Sequence, residues 1–278
     1  MRSGTIIKDV LKDITSILEG IVPRASREAQ LLLMHHLNVD ELWLITHQNS
    51  FVDNLDTLYE LVKRRAKNEP LEYITNRVNF YSQEFYIDRG ALIPRPETEL
   101  LIDEVLKNIK DKNAYMNFVE VGVGSGIISI VLAQHLKNAK FIAIDISQDA
   151  LNIASQNIEK FNMQERIELR LGSLLEPLTQ KCDYLVSNPP YIEDGVALES
   201  NLSYEPQNAL FGGEVGDEII KKLLDEVLKR KINLFTCEMG YDQKDKISNY
   251  LQDTHYKALK FYKDYSDFDR GFTLKVDN

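Results

Sequence analysis

The chain has 278 residues, 44% hydrophobic and 27% charged, with a net charge of −10 at neutral pH. That length holds one large domain or one domain with a small partner, and the composition is that of a globular protein. No apolar run approaches the ~20 residues of a membrane span, the two cysteines have no metal-like spacing, and the acidic balance argues against a protein whose main work is gripping nucleic-acid phosphates.

The opening "MRSGTIIKDVLKDITSI" mixes acidic residues into its apolar pattern, so no signal peptide is expected. A reducing cytoplasm fits, with Cys182 and Cys237 packed as small apolar residues near strands. Ile6, Val10, Ile14, Ile17 and Leu18 fall at helical spacing, with Gly20 as the stop. Ser26 caps a second helix in "SREAQLLLMHHL", and "VDELWLITH" and "NLDTLYELVKRRAKNEP" complete a helical bundle over residues 1–70, with Trp43 in its core and "KRR" at 63–65 as a solvated face. Such a unit is close to the size at which a domain is marginal alone.

Residues 71–96 change character. "VNFYSQEFYID" reads as a β-hairpin with a Tyr81–Glu84 turn, joining the bundle to the larger C-terminal part of the chain. "PRPETELLIDEVLKNI" opens a helix with Pro96 in its first turn and Glu97 and Glu99 near its positive end. Over residues 97–278 strands are expected at 117–122, 140–145, 167–172, 183–187 and 232–239, with helices between the first four and before the fifth. That alternation signals a parallel sheet with helices on both faces. A closing antiparallel hairpin around Asp267-Phe268-Asp269 brings the total to seven strands.

Three features fall at the carboxyl edge of that sheet, where such folds hold their ligands. "VEVGVGSGI" places Gly122, Val123, Gly124, Ser125 and Gly126 between strand and helix, so the backbone can turn sharply and approach a ligand. The third glycine is at 126, one residue short of the dinucleotide fingerprint. Alone, the cluster fits a plain tight turn equally well. Asp145, about 20 residues past the glycines, ends the second strand, where an acid can bond a ribose diol or simply cap a helix. The fourth strand stops at Asn188-Pro189-Pro190-Tyr191, and two prolines cannot continue a sheet ladder. Together the three point to a nucleoside-containing cofactor.

GxGxG, an acid ending the second strand and "NPPY" ending the fourth resemble the class I S-adenosylmethionine-dependent methyltransferases, with their Rossmann-like sheet. "NPPY" is similar to the motif of enzymes that methylate planar nitrogens, either adenine N6 or a glutamine amide. A glutamine amide offers two N–H donors and a delocalised lone pair. The Asn188 oxygen and the Pro189 carbonyl can accept those donors, Pro190 stiffens the turn, and Tyr191 can stack on the flat amide. Four further stretches, "PRPETE", "EPQNALFGGEVG", "CEMGYDQ" and "DFDRGF", resemble the release factor glutamine methyltransferases across essentially the whole chain. The resemblance implies S-adenosylmethionine as cofactor, no metal, and class I peptide chain release factors, methylated at the Gly-Gly-Gln glutamine, as partners of a cytoplasmic monomer. It assigns residues 1–70 to substrate recognition and residues 97–278 to methyl transfer. It places Ser173 and Leu174 beside the adenine, where the family commonly has an acid or amide and an aromatic, so Leu174 offers only an apolar edge. Glu120 replaces the family's usual Asp. Asn76 in "YITN" stands where a glycine is expected and leans toward the sister family acting on a ribosomal protein. The alternatives are that sister activity, adenine-N6 methylation of DNA, for which no basic recognition insert is found, and a catalytically silent cofactor-binding scaffold.

Overall fold

The computed structural model of the chain describes residues 5–277; residues 1–4 and 278, at the ends of the expected domain ranges, lie outside the described residues. Five helices, α1 (Ile7–Leu18), α2 (Ala25–Leu37), α3 (Glu41–Thr46), α4 (Leu55–Ala66) and α5 (Leu71–Thr75), build the first unit, which also takes in residues 199–204. Ile7, Val10, Ile14 and Leu18 line one face of α1 and are fully buried. They meet Leu32 and Leu33 of α2 and Leu58 and Val62 of α4 in a single apolar core. Gly20 follows α1 in the left-handed region at φ +77°, as its stop signal requires.

Several local expectations change in this unit. Ser26 lies inside α2, whose N-cap is Arg24. Trp43 is only partly buried at the edge of the core, stacked on His47 at 4.2 Å. The "KRR" face is not simply solvated: Arg64 pairs with Glu69 at 2.6 Å and Arg65 with Glu28, leaving Lys63 outside with Glu60. Asn76 sits at φ +55°. Asparagine tolerates that left-handed conformation, so it does the work of the expected glycine.

The second unit holds residues 78–198 and 205 onward. Its hairpin pairs β1 (Arg77–Phe80) with β2 (Gln83–Tyr86). The turn is the two residues Tyr81 and Ser82, at φ +51° and +58°, not a four-residue Tyr81–Glu84 turn. Two consecutive left-handed residues match the twist of the flanking strands. From Val78 onward the hairpin lies in the second unit, and Arg77, which opens β1, in the first.

Then come α6 (Thr98–Asn108), β3 (Met116–Val121), α7 (Ile127–His135), β4 (Ala139–Asp145), α8 (Gln148–Lys160), β5 (Ile167–Leu171), β6 (Tyr184–Ser187), β7 (Ile192–Glu193), β8 (Phe211–Gly213), α9 (Glu218–Arg230), β9 (Leu234–Glu238), α10 (Lys244–Leu251), β10 (Ala258–Lys263) and β11 (Asp269–Lys275). The main sheet has seven strands in the order β10-β11-β9-β6-β3-β4-β5. Strands β9, β6, β3, β4 and β5 run parallel, and β11 lies antiparallel between β9 and β10. Strand order reverses between β3 and β6, which opens a crevice at their carboxyl ends.

Three details differ from expectation here. Pro96 precedes α6, whose N-cap is Glu97. No helix separates β5 from β6; the stretch runs in turns closed by Glu176 N–H to Ser173 O and Leu178 N–H to Leu175 O, because Pro177 interrupts it. Helix α10 is an addition, carried by the buried pair Ile247 and Leu251 at i,i+4 spacing.

Asn157 of α8 locks the hairpin to the glycine turn. Its amide nitrogen donates to Tyr86 O at 2.9 Å and Ser125 O at 2.8 Å, and its oxygen accepts from Tyr86 N–H at 2.8 Å. The side chain is fully buried, so its loss orphans backbone groups away from water. Asn157→Ala is expected to lower unfolding stability by about 2–4 kcal/mol in urea titration; a change below about 0.5 kcal/mol contradicts this role.

Candidate active site

Gly122, Gly124 and Gly126 all adopt positive φ, at +76°, +52° and +83°. The N–H groups of Gly122 and Val123 both donate to Ile144 O, which pins the turn to the end of β4. The glycines differ in purpose. A side chain on Gly126 would press on Ala154 of α8, so that glycine serves helix packing. Around Gly124 no protein atom lies within 4 Å of where a Cβ would sit, and the residue lines a cavity of roughly 350 Å³. That volume is within the range of small-molecule sites.

Every cofactor residue expected from sequence borders this cavity: Gly122, Val123, Gly124, Ser125, Asp145, Ser173, Leu174 and Asn188, with Gly126 as the one exception. Asp145 is buried and both oxygens are engaged, Oδ2 by Gly124 N–H and Oδ1 by Ser147 N–H, each at 2.9 Å. Burial pushes its pKa up, against the pull of backbone donors. Asp145 is thus a clamp on the glycine turn, whatever else it binds.

Glu120 goes beyond its reading as a tolerated replacement. Its Oε2 accepts from Ser129 N–H at 2.9 Å and from the Ser129 hydroxyl. Its Oε1 is buried without a protein partner, and the residue borders the cavity. Burial raises the carboxyl to a pKa of about 8, opposed by the Ser129 bonds and reinforced by Asp145. An unpartnered carboxyl oxygen beside a cavity fits a ligand that brings a positive charge and hydrogen-bond donors, which would favour its ionised form. S-adenosylmethionine carries an ammonium and a sulfonium, so the residues present fit it.

Asn188, Pro189 and Pro190 follow β6 into the same cavity. The Asn188 amide nitrogen donates to the Thr98 hydroxyl at 3.1 Å, and that hydroxyl donates to Glu238 Oε2 at 2.8 Å. Tyr191 differs from its expected role. It does not border the cavity; its ring packs on the core and its hydroxyl donates to Glu238 Oε1 at 3.3 Å. The stretch behind the turn explains the direction. Gly212 and Gly216 leave no room for a Cβ against the Pro190 and Tyr191 carbonyls, and Gln243 donates to Tyr191 O at 3.1 Å and Gly216 O at 3.0 Å.

Arg95 pairs with buried Glu205 at 2.6 Å, while Glu205 also accepts from Ile93 N–H at 3.0 Å. This joins the two stretches whose Pro94 and Pro206 border the cavity. Glu97 only caps α6. Among the described residues, no group of three or more His, Cys, Asp or Glu is placed to hold a metal ion, and no helix is long and apolar enough to cross a membrane. Thr98, Glu205, Glu238 and Gln243 lay within stretches already singled out, but as motif letters without partners.

A family model described as the PrmC N-terminal domain matches residues 9–75, and one described as the methyltransferase small domain matches residues 95–207. A release factor glutamine methyltransferase of Dictyoglomus turgidum is 36% identical over 267 residues, covering 94% of this chain and 91% of its own. One from Clostridium botulinum is 36% identical over 278 residues, covering 94% and 97%. Among solved structures, the N-terminal domain of human METTL16 in complex with SAH superposes with a TM-score of 0.55 at 15% identity, over 94% of this chain and 97% of that one, which speaks to the fold alone. With two full-length relatives above 30% identity and its own residues gathered at the carboxyl edge of a seven-stranded sheet, the chain belongs to the release factor glutamine methyltransferase family, enzymes of the class I methyltransferase fold.

Proposed function

We propose that the chain transfers a methyl group from S-adenosylmethionine to the side-chain amide nitrogen of the glutamine in the Gly-Gly-Gln motif of class I peptide chain release factors. The observation that carries this reading is Asn188: its amide borders the cavity beside a rigid diproline, with its nitrogen bonded to Thr98. An amide oxygen in that position suits a substrate group that brings N–H donors and no charge.

S-adenosylmethionine, when bound, supplies an electrophilic methyl group. Gly122 to Gly124 and Asp145 would hold its sugar side, Ser173 and Leu174 its base, and the orphaned Glu120 oxygen its cationic amino-acid end. Asn188 and the Pro189 carbonyl would grip the two amide hydrogens and aim the nitrogen lone pair. The nitrogen would gain the methyl as the sulfonium C–S bond breaks to leave a neutral thioether, and its extra proton would pass to water. No strong base borders the turn, and the rate gain is assigned to positioning and preorganised dipoles.

A three-residue target loop offers little surface, whereas specific protein pairs bury at least about 1,000 Å² in total. The helical unit is therefore proposed to receive the body of the release factor. Leu42 and Ile45 of α3 are 71% and 58% exposed, and apolar residues so placed suit a docking face.

Incubating the enzyme with labelled cofactor and a cell extract, then identifying the labelled peptide by mass spectrometry, tests the assignment. Label on the Gly-Gly-Gln glutamine supports it; label on a ribosomal protein or in nucleic acid contradicts it. Asn188→Ala should leave cofactor affinity within a few-fold and lower turnover by roughly 10²–10³; near-normal turnover sinks the role. Asp145→Ala should weaken cofactor binding by about 1.5–3 kcal/mol in calorimetry, and unchanged affinity would leave it only its clamp. Leu42→Asp with Ile45→Asp should raise KM for the intact release factor by about tenfold, the scale of one or two lost apolar contacts, with no change for a short Gly-Gly-Gln peptide. Equal effects on both substrates would rule out docking there.

A further inference from the structure

We infer that Glu238 and Thr98 are positioning residues that dictate which end of the Asn188 amide faces the substrate. This rests on the proposed glutamine amide substrate and adds to it a device set behind the turn. Asparagine is chemically two-ended. Turned one way it presents an acceptor to the cavity; turned the other way it presents two donors. Only the first can hold a glutamine amide nitrogen by its hydrogens, so a fold that merely places Asn188 has not yet made it useful.

The relay settles the choice. An ionised carboxylate has no hydrogen to give. The single hydrogen of the Thr98 hydroxyl therefore goes to Glu238 Oε2, at 2.8 Å. What Thr98 shows to Asn188, 3.1 Å away, is a lone pair, and only the nitrogen end of Asn188 can meet it. The oxygen end is left for the cavity. Tyr191 donates to the other Glu238 oxygen, which holds the carboxylate plane. Glu238 is 1% exposed and Thr98 2% exposed, so water does not compete for these partners. A chain of bonds in such a setting is strongly directional.

Protonation reverses the chain. A neutral Glu238 can donate to Thr98, whose hydrogen then turns to Asn188 and calls for its oxygen. The nitrogen end swings to the cavity, donor facing donor. The groups around Glu238 are Tyr191 from the turn, Arg270 of β11, Tyr262 of β10, its neighbour Cys237 on β9, and Glu97 at the start of α6, with Glu104 of α6 facing Tyr262. Burial dominates and lifts the carboxyl to a pKa of about 7, against the bonds from Thr98 and Tyr191 and the charge of Arg270, and with a further push from Glu97. Arg270 is itself paired with Asp264 at 2.7 Å. The active form is the charged one, so turnover is full above that pH and falls as pH drops through it.

The test compares wild type, Thr98→Val, Thr98→Ser and Glu238→Gln, with cofactor and release factor both saturating at each pH, and with cofactor affinity measured separately by calorimetry. Under saturation kcat reports groups of the bound complex only, and Glu238→Gln separates Glu238 from the others among them. Thr98→Val, which keeps shape and removes the relay, should lower kcat about 10²-fold, with cofactor affinity within about threefold of wild type. Thr98→Ser should restore kcat to within about threefold. Glu238→Gln has no proton to gain near neutrality, so its acid limb in kcat should disappear. The proposal is overturned by a Thr98→Val enzyme with near-normal kcat, by a Thr98→Ser enzyme as slow as Thr98→Val, by matching losses in cofactor affinity, or by an unchanged acid limb in Glu238→Gln. If wild type labels another substrate, the functional reading fails, and the same variants decide the relay on that substrate.

Discussion

Burying a carboxylate costs several kcal/mol unless hydrogen-bond donors reach it, and this sheet ends three of its parallel strands around buried carboxylates. Glu120 lies one residue before the end of β3, Asp145 ends β4 and Glu238 ends β9. The donors that answer them are the structure of the site. Asp145 is met by the N–H groups of Gly124 and Ser147, which fixes the glycine turn against β4. Glu238 is met by two hydroxyls, from Thr98 and Tyr191, which fixes the start of α6 against the diproline turn. Glu120 is met on one oxygen only. Two acids are thus used to hold loops, and the third, which borders the cavity, keeps one oxygen without a protein partner.

This explains why stretches far apart in sequence belong to one site. The segments "CEMGYDQ" and "DFDRGF" do not border the cavity, and "EPQNALFGGEVG" reaches it through Pro206, Asn208, Ala209 and Phe211. They form the wall behind the turn. Gly212 and Gly216 let β8 and its flanking loop approach the Pro190 and Tyr191 carbonyls, and Gln243 ties the Tyr191 carbonyl from the far side. Glu238 and Arg270 supply the charges there. A rigid wall suits chemistry that relies on positioning, since a small misplacement of an acceptor costs much of the rate.

The parallel strands were legible to within two residues, because buried strands in α/β sheets are continuous apolar runs bounded by glycine, proline and charge. The three signals at the carboxyl edge were legible because they are local: a glycine spacing, a strand-end acid, a tetrapeptide. Partnerships were not. Thr98 and Glu238 are 140 residues apart, Arg95 and Glu205 110, Tyr86 and Asn157 71. No periodicity encodes such pairs. Tyr191 shows the same limit, since its flat ring suggested a stacking face and the bond from its hydroxyl to Glu238 decided its direction instead. The missing helix between β5 and β6 and the two-residue hairpin turn are smaller errors, of punctuation by Pro177 and of left-handed tolerance at Tyr81 and Ser82. The "KRR" reading failed because exposure of one residue in a charge run does not extend to its neighbours.

The site works through a direction, from Asn188 nitrogen to Thr98 oxygen to Glu238. Neutron diffraction from deuterated crystals grown at alkaline pH reads that direction without reference to rate. The expected result is a deuteron on the Thr98 hydroxyl pointing at Glu238 and a deuteron of the Asn188 amide pointing at Thr98, with the Asn188 oxygen toward the cavity. A Thr98 deuteron pointing at Asn188, with the amide oxygen facing it, would contradict the relay.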